Sequence, residues 1–178
     1  IRRWVEIETP TEAPEQVNKL ADLVADGYRG LPASVERIAG RSGCGDHLVA
    51  RSSWGQDAPG ILVLSHLDTV HPIGFIERLP FRVEGDVAFG PGIYDMKGGA
   101  YLAYHAFRQL CDEGARPPLS ITQLYVSDEE IGSPTSRAVA SVRSNAHPAT
   151  PPSATAATPR APAIRFHPAS AGAPPDAV

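Results

Sequence analysis

Apolar and polar positions along the first 137 residues repeat with two periods, and the switches between them mark the elements. Val17, Leu20, Ala21, Val24 and Tyr28 keep helical spacing, which predicts a packing helix from about Glu15 that Gly27 and Gly30 end. Thr9 and Thr11, among prolines, form a loop able to cap it. Residues 34–39 and 47–53 read as two strands around the turn GRSGCGD. The apolar run 61–64 has the length and composition of a strand buried on both faces. Residues 81–84 and 87–89, joined across Gly85 and Asp86, predict a hairpin. Ala103, Ala106, Phe107 and Leu110 then recur at helical spacing, and 119–127 reads as a last strand. Strands interleaved with helices and no internal repeat imply an α/β fold, a mainly parallel sheet with helices on both faces.

Charged and polar residues gather where these strands stop. The run at 61–64 delivers His66 and Asp68, which alternate with Leu67 and so leave the same face of an extended segment. An imidazole and a carboxylate there make half of a metal site or a His-Asp pair. In GPGIYDMKGGA, Asp95 lies in a glycine-rich loop that leads into the second helix. The last strand ends in Asp128, Glu129 and Glu130. In open α/β sheets chemistry collects at the carboxyl ends of strands, so these groups can share one crevice. One imidazole among several carboxylates would repel itself unless a cation neutralised it. Taken singly, each has a plainer reading: a core histidine, a loop-capping aspartate, the acidic first turn of a helix. His47, His71 and His105 have no partner at ligand spacing, and Lys97-Gly-Gly lacks the spacing of a phosphate cradle.

Taken together, SHLDTV, GPGIYDMKGG and SDEEIGSPTSR resemble the co-catalytic zinc hydrolases that include glutamate carboxypeptidase, acetylornithine deacetylase and succinyl-diaminopimelate desuccinylase. GPGIYDMKGG and DEEIGS lean toward the glutamate carboxypeptidase branch. The resemblance covers roughly residues 1–137, the first part of a catalytic domain. It implies that His66, Asp95 and Glu130 ligate zinc, with Asp95 bridging two ions in the family and Asp95–Met96 a cis peptide. Cobalt or manganese would also suit such ligands. It further implies catalytic roles for Asp68, orienting His66, and for Glu129, the general base for a zinc-bridging water. The implied activity is release of a C-terminal amino acid from a small peptide, or, as an alternative, deacylation of an N-acyl amino acid. A degenerate, non-catalytic binding module is the other alternative. The family also supplies a further acidic ligand about two dozen residues after the Glu-Glu pair, a distant His ligand, and a smaller domain through which it homodimerises. None of these is present here, so a truncated and inactive product is expected.

Composition changes this picture only at the C-terminal end. Of the 41 residues from 138 to 178, 13 are Ala and 8 are Pro, and Asp176 is the one acidic residue. The first 137 residues carry 13 basic and 19 acidic side chains. The segment 138–178 is therefore expected to be a low-complexity tail, disordered or translated out of frame. A net charge of -4 argues against nucleic acid or an anionic membrane as partner. Cys44 and Cys111 are too few for a disulfide framework and are expected to be reduced and buried. IRRWVEIETP has no apolar signal core, which fits a cytoplasmic protein, and no stretch approaches the length of a membrane span.

Overall fold

A computed structural model of the chain describes residues 1–55 and 60–144. Helices α1 (Arg2–Glu6), α2 (Pro14–Gly27), α3 (Gly98–Asp112) and α4 (Ser136–Ser144) surround two sheets. One sheet contains β1 (Ala33–Ile38), β2 (His47–Ser52), β3 (Ile61–His66) and β6 (Ile121–Val126) in the order β1-β2-β6-β3. The other is the hairpin of β4 (Arg82–Glu84) and β5 (Val87–Phe89), closed tightly around Gly85 with Glu84 opposite Val87. Both lie where the periodicity places them.

The α/β class holds, but the sheet is mixed rather than mainly parallel. Of its three pairings only β3 with β6 is parallel; β1 with β2 and β2 with β6 are antiparallel. Connections account for two of the three: α3 crosses over between β3 and β6, whereas the short turn before His47 reverses the chain between β1 and β2. Helices cover both faces. On one, α1, α2 and α3 bury Trp4, Leu20, Val24, Tyr104 and Phe107 against Leu48, Ala50 and Tyr125. On the other, Val139 and Ala140 of α4 pack on Val49, Leu124 and Val126.

Three expectations about local burial are corrected. The apolar run of β3 is not buried on both faces: Ile61 is 46% and Leu64 53% exposed, because β3 is an edge strand of the sheet among the described residues. The buried face of α3 is Ala100, Tyr104 and Phe107 rather than the set containing Ala103 and Ala106. Tyr104 explains the rotation, since it has more apolar surface to bury than either alanine and meets Tyr28 with ring centroids 5.3 Å apart. Thr9 and Thr11 do not cap α2, whose N-cap is Ala13 with no side-chain bond; both threonines turn toward the end of β3.

Both cysteines are free, Cys44 buried and Cys111 half-buried. No described helix is long and apolar enough to cross a membrane. Helix α4 runs past 137 to Ser144, and the rest of the Pro/Ala-rich segment, 145–178, lies outside the described residues.

Candidate metal centre

The parallel pairing of β3 with β6 sets His66 opposite Val126, and the Leu67 N–H continues the ladder onto the Val126 carbonyl at 2.8 Å. Residues 66–68 and 127–130 therefore leave the sheet side by side. Asp68, fully buried, sits between them. Its Oδ1 accepts the Glu129 N–H at 3.3 Å, and its Oδ2 accepts the Glu130 N–H at 3.2 Å and the Thr11 hydroxyl at 2.8 Å. Burial alone would raise this carboxyl, but those donors and the adjacent imidazole hold it below the usual carboxylate range.

His66 is oriented from below. Its Nδ1 lies 2.9 Å from the main-chain carbonyl of Asp68 and 3.4 Å from Asp68 Oδ1, with the carbonyl the nearer. That aims Nε2 at Asp95, 3.0 Å from its Oδ1, with Glu129 Oε2 at 3.9 Å. Burial would lower the imidazole, yet the carboxylates of Asp68 and Asp95 on its two nitrogens push it up to about 9.

The loop that carries Asp95 is shaped by its neighbours. Gly92 has a φ of 65°, and a Cβ there would sit 2.4 Å from Thr69 Cγ2, so no other residue fits without displacement. The Asp95–Met96 peptide is cis. Lys97, next along, is 1% exposed and donates to the Ile7 carbonyl at 2.6 Å; burial lowers its ammonium to about 8. The third segment is fixed by Asp128, also fully buried. Its Oδ2 accepts the Thr135 N–H and hydroxyl at 2.6 and 2.7 Å and the Ser136 N–H at 3.1 Å, which folds the Glu129–Ile131 turn back onto α4.

One ligand atom each from His66, Asp95 and Glu130 lies within 4.8 Å of the others, close enough to share one ion. Burial and the charges of Asp95, Asp68 and Glu129 raise the Glu130 carboxyl, although His66 opposes them. This crowding of negative charge is what a divalent cation would neutralise. Three protein donors leave a coordination position open, as in catalytic rather than structural zinc sites. A cleft of roughly 610 Å³ opens beside them, lined by His66, Asp95, Met96 and Glu129 and also by Leu64 and Arg137. The residues present therefore fit one metal ion.

Of the five candidate residues, three meet as a donor set, Glu129 stands at the edge of that set, and Asp68 lies beneath it. Thr11, Lys97 and Asp128 also shape the site; the sequence offered Thr11 only as a helix cap, Asp128 only as one of three acidic groups, and Lys97 no role. His47 is buried; its Nδ1 accepts the Ser127 N–H at 3.2 Å and its Nε2 meets Thr135 Oγ1 at 3.0 Å. Burial lowers its imidazole against the pull of Asp128. No ligand spacing marks these four, because their partners are distant in sequence or are main-chain atoms.

The family model described as peptidase family M20/M25/M40 matches residues 62–166. Carboxypeptidase G2 of Pseudomonas sp. (strain RS-16) is 36% identical over 134 residues, 75% of this chain and 32% of its own length. Succinyl-diaminopimelate desuccinylase of Corynebacterium glutamicum is 31% identical over 109 residues, 61% of this chain and 27% of its own. The chain thus spans a third or less of these curated relatives. Among solved structures, human carnosine dipeptidase 1 superposes with a TM-score of 0.66 at 18% identity, covering 80% of this chain and 34% of its own. The yeast dipeptidase Dug1p gives 0.66 at 12% identity, covering 82% and 34%.

Proposed function

The chain belongs to peptidase family M20/M25/M40, and on that premise we propose that it is the metal-binding part of an amide hydrolase releasing a C-terminal amino acid, in the manner of a glutamate carboxypeptidase. The observation that carries this is the convergence of His66, Asp95 and Glu130 within 4.8 Å, with the Glu129 carboxylate 3.9 Å from His66 Nε2. Similarity to carboxypeptidase G2 over three quarters of the chain supports the choice of reaction.

In this reading His66, Asp95 and Glu130 hold zinc, and cobalt or manganese would suit the same donors. A bound divalent ion supplies Lewis acidity at the amide carbonyl and acidifies water. The protein's own groups do the rest. Asp68 and its carbonyl keep Nε2 of His66 turned toward the cleft. Glu129, half exposed at the cleft wall, takes a proton from an attacking water and returns it to the leaving amine. Residues 1–137 are the corresponding part of a catalytic domain. Among the described residues one group of three donors is present, so we propose that the 178 residues alone hold one ion and do not turn over.

A second reading, deacylation of an N-acyl amino acid, is favoured by the similarity to succinyl-diaminopimelate desuccinylase. Both use the same centre and differ in which side of the amide the enzyme grips. They separate in a protein that carries this segment at the length of its relatives. A peptide ending in glutamate and N-succinyl-diaminopimelate are offered as competing substrates. Preference for the first supports the carboxypeptidase reading, and preference for the second replaces it. In the same protein Glu129→Gln should abolish hydrolysis with the zinc content unchanged; activity surviving that change would remove Glu129 from the proposal.

A further inference from the structure

We infer that Thr11 is a positioning residue for the metal centre: its hydroxyl fixes the Asp68 carboxylate, and through it both the His66 imidazole and the Glu129–Glu130 turn. This rests on reading His66, Asp95 and Glu130 as the ligand set.

Asp68 has no access to solvent, so only its neighbours can set the rotation of its carboxylate. Three of them are distant: His66 Nδ1 at 3.4 Å and the Glu129 N–H at 3.3 Å on Oδ1, and the Glu130 N–H at 3.2 Å on Oδ2. These lie at or beyond the long end of the usual N–H···O range of about 2.7–3.2 Å and restrain direction less tightly than a short bond does. The Thr11 hydroxyl, at 2.8 Å from Oδ2, is the shortest, and among the described residues the only one from outside the two ligand-bearing segments. Without it, the carboxylate rests on those three longer contacts alone, and the His66 imidazole keeps only its 2.9 Å contact with the Asp68 main-chain carbonyl as a short restraint on Nδ1.

Thr11 can act this way because it is held itself. It is 4% exposed and ends a segment laced to the loop after β3. The Thr69 N–H donates to the Thr9 carbonyl at 2.8 Å, and the Thr9 hydroxyl donates to the Leu67 carbonyl at 2.7 Å. The Glu8 carboxylate accepts the N–H groups of Gly74 and Ile76 at 2.7 and 2.8 Å. Lys97, two residues past Asp95, donates to the Ile7 carbonyl at 2.6 Å. Residues 7–11 therefore strap the His66 segment to the Asp95 loop, and Thr11 is the link that reaches a group touching His66.

Tyr104 provides the control. It too is buried, and its hydroxyl donates to the Gly27 carbonyl at 2.9 Å, outside both the strap and the ligand-bearing segments. Zinc affinity of the 178-residue chain would be measured by chelator competition for wild type, Thr11→Val, Thr11→Ser and Tyr104→Phe, at a temperature where circular dichroism shows all four folded. If Thr11→Val does not fold, Thr11→Ala takes its place. Outer-shell changes typically weaken metal binding about 10–100-fold, and that loss is expected for Thr11→Val. Thr11→Ser and Tyr104→Phe should stay within about threefold of wild type on the same scale. The ring ¹⁵N shifts of His66, read without metal, should move in Thr11→Val and not in Tyr104→Phe. Equal affinity for Thr11→Val and wild type, or equal losses in Thr11→Val and Tyr104→Phe, would overturn the inference. A folded wild-type chain that binds no zinc is a different result, and it removes the ligand reading and this inference with it.

Discussion

Replacing Asp128 with asparagine should destabilise the fold by several kcal/mol although the side chain touches neither cleft nor metal. Its Oδ2 accepts three hydrogen bonds, from the Thr135 N–H at 2.6 Å, the Thr135 hydroxyl at 2.7 Å and the Ser136 N–H at 3.1 Å. Bonds to a charged acceptor contribute about 1.5–3 kcal/mol each and neutral ones about 0.5–1.5, so neutralising the acceptor costs about 3–4.5 kcal/mol over the three. Asparagine also places an amide NH₂ where Oδ1 now lies, buried and with no hydrogen-bond partner. Since Oδ1 is itself without a partner in the native chain, that exchange adds little, and the total is about 3–5 kcal/mol. At about 2–4 °C per kcal/mol for a chain of this size, the thermal midpoint at neutral pH should fall by roughly 10 °C or more. Far-UV circular dichroism of wild type, Asp128→Asn and Glu129→Gln checks it. The Glu129 side chain is 52% exposed, and its change should stay within about 0.5 kcal/mol. A loss below about 1 kcal/mol in Asp128→Asn would refute the reasoning, because it would mean that the cap does not hold the turn to α4.

Two further changes probe the scaffold. Phe107 is 2% exposed, stacked on Trp54 at 5.3 Å and tilted against Tyr28 at 5.6 Å, so Phe107→Ala should cost about 3–5 kcal/mol in urea denaturation. Burial would raise the Asp46 carboxyl, but the Gly40 N–H at 2.8 Å and the Arg37 guanidinium at 2.5 Å bring it below its ordinary value. A carboxyl lowered on folding stabilises above its unfolded value of about 3.9 and loses that contribution as pH falls through the folded value. The difference in thermal midpoint between wild type and Asp46→Asn should therefore shrink below about pH 4 and stay constant near neutrality.

The candidate donors were legible because each stands where a hydrophobic pattern breaks. His66 and Asp68 follow an apolar run, Asp95 interrupts glycines, and Glu129 and Glu130 end a strand. Their meeting needed one fact the pattern does not contain, the parallel register of His66 with Val126. Supporting contacts were hidden for a different reason. Thr11 and Asp68 are 57 residues apart, and Lys97 serves a main-chain carbonyl 90 residues away, so neither leaves a local signature. Periodicity also counts apolar residues without weighing them, which is why Tyr104 could rotate the buried face of α3. Nor does an apolar run disclose whether its strand lies inside a sheet or at its edge, as the exposure of Leu64 shows.

The most direct test is equilibrium dialysis of the folded 178-residue chain against zinc, with bound metal counted by mass spectrometry in wild type and in His66→Ala. One tightly held ion per wild-type chain, lost in His66→Ala, is the expected result. A folded wild-type chain with no bound zinc, or a zinc content untouched by removing the His66 imidazole, would contradict the metal centre proposed for these residues.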